Sequence, residues 1–591
     1  MTCRPERFWR PLLAGLGLLA GVACSEAGVE RAPLEQAQTA LAAGDGLGAE
    51  IALRDMLASG TPVEDIAAFL GEAELLQGEL HESRRWLGEG NFSDATAGHG
   101  YHMLGRLEMR DGNLPAAGQA FDRAFASIPD SSSLWVDIGR LRYRGGEQAQ
   151  AIEASRRAVE LGPENPDALL LRAQLVRDSE GLAAAVPWFE AGLEHAPDNL
   201  DLLGDYAATL GDLGRARDML AVIRRMAEID DRNPRLFYLQ AVLAARGGNF
   251  MLARTLLARA GPGIAQSPAG MLLSGVIDLE NGNYQSAVQV LDRLAMMQPD
   301  NVRVRELLVQ AAALGLNDRE LVYRFGDIGR LTSASPYLRM ALGRSYEVLD
   351  RRSDAAPFLD LAALDRSSSL IAVQGSTPLP SAELRRAQGG SAVQSLVRGR
   401  IVAGQPGIAL AEAERFRRLF PGSADAMALA GDARLANRDP GAALSLYRKA
   451  AEIRQTWPLV RRIVAAHRAS GRSDLAEQVI AQHLVAHPGN AEAAAELADM
   501  AIERANWPRA ALLLDHATRH GAWHDPYLWR QRALVAARLG DSELSFDAAV
   551  FAYALQPMSR PGTALLAGVL AEQGQQAEAD ALQRKLARMG G

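Results

Sequence analysis

The feature that most constrains this chain is a spacing. From Gly98 to Asn301 the sequence repeats itself with a period of 34 residues. The clearest unit, Ser132 to Asn165, carries Trp135, Ile138, Gly139, Gly146, Ala151, Ala158 and Pro163 at unit positions 4, 7, 8, 15, 20, 27 and 32. One period earlier stand Leu104, Gly105, Gly112, Ala117, Ala124 and Pro129, and the run closes on Gly275, Gly282, Ala287 and Pro299. Each landmark has a physical task. Small residues at 8 and 20 let two antiparallel helices approach, while larger apolar residues at 4, 7, 11 and 24 fill the seam. Glycine at 15 suits the tight turn between them, and proline at 32 ends the second helix. One such pair cannot bury its own apolar face, so the units must stack.

A 34-residue period with these landmarks resembles the tetratricopeptide repeat superfamily. The resemblance implies an all-α fold, an α-solenoid of helix-turn-helix units forming a right-handed superhelix. Followed outward, the frame begins near Glu30, with in-phase landmarks Ala37, Gly44 and Ala49, then Gly71, Gly78 and Ser83. It continues through a degenerate unit at Val302–Ser335 to one marked by Gly343, Tyr346 and Ala355, so residues 30–369 read as an N-terminal array of about ten repeats. Residues 370–389 break the phase with Gly375, Pro378 and Pro380 and read as a connector and candidate hinge. Residues 390–591 resume as about six more repeats, some sixteen in all, the last suitably polar for a cap. Pro115, Pro406, Pro440 and Pro508 fall in the first turn of second helices, where a missing N–H costs little. Pro187 and Pro357 fall deeper and are expected to kink or delay theirs.

Residues 1–23 read as a signal peptide. Arg4, Arg7 and Arg10 precede an apolar run, Leu12 to Ala23, too short to span a bilayer. Gly21-Val22-Ala23-Cys24 resembles a bacterial lipoprotein signal, which implies lipidation of Cys24, a short tether at 24–29 and an exported, membrane-anchored protein on the periplasmic face of the outer membrane. Gly21 departs from the leucine usual there, and ordinary cleavage after Ala23, giving a soluble periplasmic protein, also fits. Cys3 is the only other cysteine, so a mature chain has no internal disulfide. Removal of the segment takes the net charge from −8 to −10 and leaves no basic block, which argues against nucleic-acid binding.

Motifs of catalysis are lacking: there is no H-E-x-x-H, no phosphate-binding loop, no nucleophile elbow and no CxxC. The expectation is a non-enzyme without cofactor. His516, His520 and His524 are spaced by four, with His483 and His487 in the preceding unit. Residues i and i+4 share a helix face and can present two imidazoles to one metal, the basis of an unfavoured metal-enzyme reading. Histidines are also ordinary in a polar turn where a helix ends, and no metal is assigned. His467 is expected as a half-buried seam residue.

In tetratricopeptide proteins, positions 2, 5, 9, 12 and 13 of the first helices point into the inner groove. Across three units they include His99, His102, Arg106, Arg110, Arg140, Tyr143, Arg144, Gln174 and Arg177. Arginines recurring there form a stripe able to fork onto carboxylates of an acidic peptide or an anionic polysaccharide. Against this, arginine supplies nearly all positive charge in the chain, and the next unit reverses sign with Asp201, Asp205 and Asp212. The architecture also looks like the repeat lipoproteins of exopolysaccharide export and the PEP-CTERM/exosortase systems. Together these readings give a scaffold for protein partners of the cell envelope, assembling an export, secretion or exopolysaccharide-type machine.

Overall fold

A computed structural model describes residues 33–298, 301–315, 317–330, 334, 336–363, 379, 390–523 and 525–589. The signal peptide, Cys24, the tether, His524 and all but one residue of the 370–389 connector lie outside them. Among the described residues there is no strand, and helices follow one another in tandem. They pair as the period requires: Ala97–Arg110 with Leu114–Ser127, Ser132–Arg144 with Gln148–Leu161, Pro166–Ser179 with Leu182–His195. First helices start at side-chain caps such as Ser131, Asn165 and Asn199, whose oxygens accept orphan amides of the first turn. The turn to the second helix is closed at Gly146, φ 81°, by the amides of Gly146 and Glu147 bonding to Tyr143 and Arg142 carbonyls. Asp350, Arg438 and Ala505 hold the same left-handed conformation without glycine's freedom.

Position 8 is small for a reason sharper than close approach to position 20. A Cβ on Gly105 would run into the Phe121 ring, and one on Gly431 into the Tyr447 ring. On Gly275 and Gly343 it would lie 2.6 Å from Leu291 and Leu359 side chains. All four neighbours stand at position 24, so the seam is a large second-helix side chain seated on bare backbone of the first helix. Where position 24 shrinks to Ser155, Leu171 of the next unit fills the space over Gly139.

Pro115, Pro406, Pro440 and Pro508 sit at the first or second helical position as expected. Pro187 and Pro357 correct the expectation of a delayed start: their helices begin at Leu182 and Arg352 and continue past them. Other departures are the short helix Leu80–Leu87, the early stop of Phe250–Arg259 before the single turn Gly261–Ala265, and a π-helical turn at Thr518–Ala522.

The chain forms two compact units, Met1–Ile128 and Pro129–Gly591. Within the second, helices far apart in sequence dock along their turn edges. Ala149 N–H donates to Gly422 O at 3.2 Å, Ala424 N–H to Gln148 Oε1 at 3.1 Å and Gln455 N–H to Asp178 O at 2.9 Å. Beneath these bonds one apolar cluster runs from Val136, Ile152 and Leu175 to Leu444, Ile453 and Leu459. Farther along, Gln556 Nε2 donates to Leu359 O, and Leu555 and Met558 pack against the cluster around Leu342 and Phe358. Gly181 shows how close this docking is: at φ 106°, its Cβ would stand 2.7 Å from Ala486 Cβ. Helix periodicity reports only nearest neighbours, so none of this was visible in it.

Candidate functional site: the first-helix face and the histidine pairs

The first-helix stripe spends most of its charge on the protein itself. In the first unit, His99 Nε2 meets Glu72 Oε2 at 2.8 Å and its ring stacks on Phe69. His102 is buried edge-on against Phe121 and so is a core residue rather than a groove residue. Arg106 Nη1 reaches Met103 Sδ at 3.7 Å. Arg110 Nη1 donates to Leu75 O at 2.5 Å, satisfying a carbonyl at the C-terminal end of the preceding first helix.

The second unit repeats that device. Arg246 donates to Gly211 O, one repeat back, and bonds Asp212 Oδ1 at 2.5 Å. Arg140 lies 3.1 Å from Asp137 and 3.3 Å from Asp167. Burial works against its charge, and the two carboxylates outweigh burial and raise its pKa. Tyr143 OH donates to Asp178 Oδ2 at 2.7 Å; burial first, then that bond, pushes its pKa up to about 12. Gln174 Nε2 donates to Asp205 Oδ2 at 2.6 Å, while Arg235 bonds Asp205 Oδ1. Arg144 and Arg177 complete the stripe, Arg177 half-buried. The sign reversal at Asp201, Asp205 and Asp212 thus has a structural role: these acids are partners of arginines on neighbouring repeats. That pairing was present in the sequence as opposite charges one period apart.

The histidines form pairs rather than a ligand set. His483 and His487 stack with ring centroids 4.4 Å apart, and Trp457 extends the column at 5.4 Å. Asn490, which caps the next helix, places Nδ2 3.0 Å from His483 Nε2. The Nδ1 atoms of both histidines are buried without a partner. His516 and His520 lie 4.2 Å apart, and His516 Nε2 donates to Pro488 O at 2.6 Å. Burial first, then His487, depresses the pKa of His483 to about 4; burial also lowers His487, and burial with His516 and Arg519 lowers His520. His467 is fully rather than half buried, and burial followed by Arg448 and Arg472 lowers its pKa. Among the described residues no three His, Cys, Asp or Glu side chains converge as metal ligands would. Two carboxylates also escaped the sequence reading: Asp432, buried against Tyr447 and Arg462, and Glu108, 2.5 Å from Arg84.

A tetratricopeptide repeat family model matches residues 102–166, 136–199 and 396–457. Comparison with curated proteins gave no match. Among solved structures the chain is similar to a tetratricopeptide repeat protein from Parabacteroides merdae, at 15% identity over 39% of this chain and 91% of that one, TM-score 0.29. It is similar to the APC/C hetero-tetramer Cut9-Hcn1 at 12% identity, over 91% of this chain and 95% of that one, TM-score 0.26. It is also similar to YrrB, a TPR protein with an unusual peptide-binding site, at 20% identity over 29% and 88%, TM-score 0.23. The matched segments carry the 34-residue landmarks and fold as the helix pairs those landmarks require: they are tetratricopeptide repeats, set in a chain whose described residues form helices in tandem.

Proposed function

We propose that the chain is a non-enzymatic scaffold that gathers protein partners at the bacterial cell envelope, anchored as a lipoprotein through Cys24. Tetratricopeptide repeats imply a protein–protein interaction scaffold, and the tandem helix pairs are the observation that carries the reading. The first-helix face supports a protein partner over an anionic polymer. Its arginines alternate with acids that they already engage, so it offers mixed polar and apolar chemistry rather than a basic track. The envelope location rests on the basic and apolar run before Cys24. Among the described residues no helix is long and apolar enough to cross a membrane, so the lipid is the anchor in this reading. The assembled machine would be one of export, secretion or exopolysaccharide type.

Photo-crosslinking in intact cells from Tyr143 and Arg177, followed by pull-down and mass spectrometry, tests the partner. Reproducible capture of the same envelope proteins is expected; crosslinks to polysaccharide alone would overturn the reading. Cys24→Ser should move the protein from the membrane fraction to the soluble one. Unchanged membrane association would remove the lipoprotein.

A further inference from the structure

The two histidine pairs stand where the second unit docks on itself. Ala486, whose Cβ meets the backbone of Gly181, lies between His483 and His487 in the chain. Gly521, whose Cβ would lie 3.6 Å from Arg303 Nη2, follows His520. Both pairs also grip one inter-repeat loop. His487 opens it, Asn490 ends it on the His483 ring, and His516 holds the Pro488 carbonyl between them. We propose that His483, His487 and His520, the last packed on His516, form a pH-operated clasp: as neutral rings packed in pairs they hold the docked edges together, and on protonation they release them.

The chemistry follows from the contacts. With Asn490 Nδ2 donating to His483 Nε2, that nitrogen carries a lone pair, and a proton arriving there removes the acceptor. Should both rings of a pair take a proton, like charges would face each other with centroids 4.4 Å apart in the stacked pair and 4.2 Å in the tilted one. The surrounding charges offer little relief. Asp515, nearest in chain to His516, is held by Arg519 and Arg532. Glu492 is taken by Trp457 Nε1, and Glu496 faces Arg461 and Arg468. Across the docked edges Asp178 is bonded by Tyr143, Glu180 faces Arg172, and Arg303 brings a further positive charge to the backbone of Gly521. The sign is definite. Histidines with depressed pKa contribute their stabilisation fully above the ordinary value of about 6.5 and lose it as pH falls toward the docked-state value. For His483 that value is about 4. The docked edges should therefore loosen in mild acid while the repeats themselves stay helical.

Hydrogen exchange on the full chain, corrected for intrinsic rates, reads this out. Between pH 7.5 and 5.0, the segments around Ala149, Gly181, Gly422 and Gln455 should lose about tenfold in protection, with the helix Leu200–Asp212 and the far-ultraviolet dichroism unchanged. A chain carrying His483→Phe, His487→Phe and His520→Phe keeps aromatic stacking without titration and should hold its protection at pH 5.0. The single variant His487→Phe provides a milder test and should lose less protection than wild type. Equal protection at both pH values in wild type, the same loss in both variants, or a general loss of helix over this range would each overturn the clasp.

Discussion

The Tyr447 hydroxyl donates to Asp432 Oδ1 at 2.9 Å, and Arg462 Nε donates to the same oxygen at 2.7 Å, with the aspartate side chain fully shielded from water. A buried ion pair is a weak source of stability as long as it is whole and a large liability once halved. Asp432→Ala leaves Arg462 without its buried carboxylate, keeping only the Pro458 carbonyl as a direct partner, and should destabilise the second unit by roughly 3–5 kcal/mol. Tyr447→Phe removes one donor from a buried carboxylate and should cost about 1.5–3 kcal/mol. Urea titrations of the two variants, followed by tyrosine and tryptophan fluorescence, should rank them in that order.

Ala505 occupies the turn conformation that Gly146 and its counterparts take, with φ 55°. A Cβ there costs about 1–2 kcal/mol, and glycine also gains freedom in the unfolded chain. The net expectation for Ala505→Gly is a stabilisation of about 0.5–1 kcal/mol, read as a higher melting temperature. No rise on melting would mean that the neighbouring contacts of Ala505 outweigh the strain.

Arg140 has two carboxylate partners, so reversing its charge tests whether the stripe serves the fold or a ligand. Arg140→Glu places three acids together and should destabilise the repeat by about 1–2 kcal/mol, while retention on an acidic-polymer column stays as in wild type. Wild-type retention that this variant abolishes would restore the polysaccharide reading.

Tyr143 should register in alkali. Its pKa is raised from the ordinary value near 10 to about 12, so the folded chain keeps a proton that the unfolded chain loses. Its contribution is complete below pH 10 and lost as pH rises toward 12. Tyr143→Phe, which lacks this group, should therefore melt below wild type at pH 8, with a gap that narrows as pH rises from 10 toward 12.

Much of the fold could be read from spacing because each landmark acts locally: proline in a first helical turn, glycine in a left-handed turn, a small residue beneath a large one. The identity of that large residue was less legible, since position 24 holds Phe121, Ser155, Leu291 or Tyr447 and only packing shows what each covers. The site divides in the same way. The stripe from His99 to Arg177 is placed on first helices by its periodicity, yet the burial of His102 depends on Phe121 lying across it, and the engagement of Arg140 depends on Asp167 in the next repeat. The spacing of the histidines shows a shared helix face and a polar turn, and says nothing of Trp457, which covers His483 from another helix.

The docked edges also set a rule about length. Solenoids ordinarily gain or lose whole repeats with only their neighbours affected, because each unit answers to the units beside it. Here Gln148 meets Ala424 across 276 residues of chain. An added or missing repeat between those two points would carry Gly422, Gln455 and Ala486 past their partners by one unit while leaving every local helix pair intact. Repeat number in that span therefore behaves as a fitted dimension of the molecule, and duplicating the Leu200–Ile229 helix pair would leave well-formed helix pairs whose docked edges no longer meet in register.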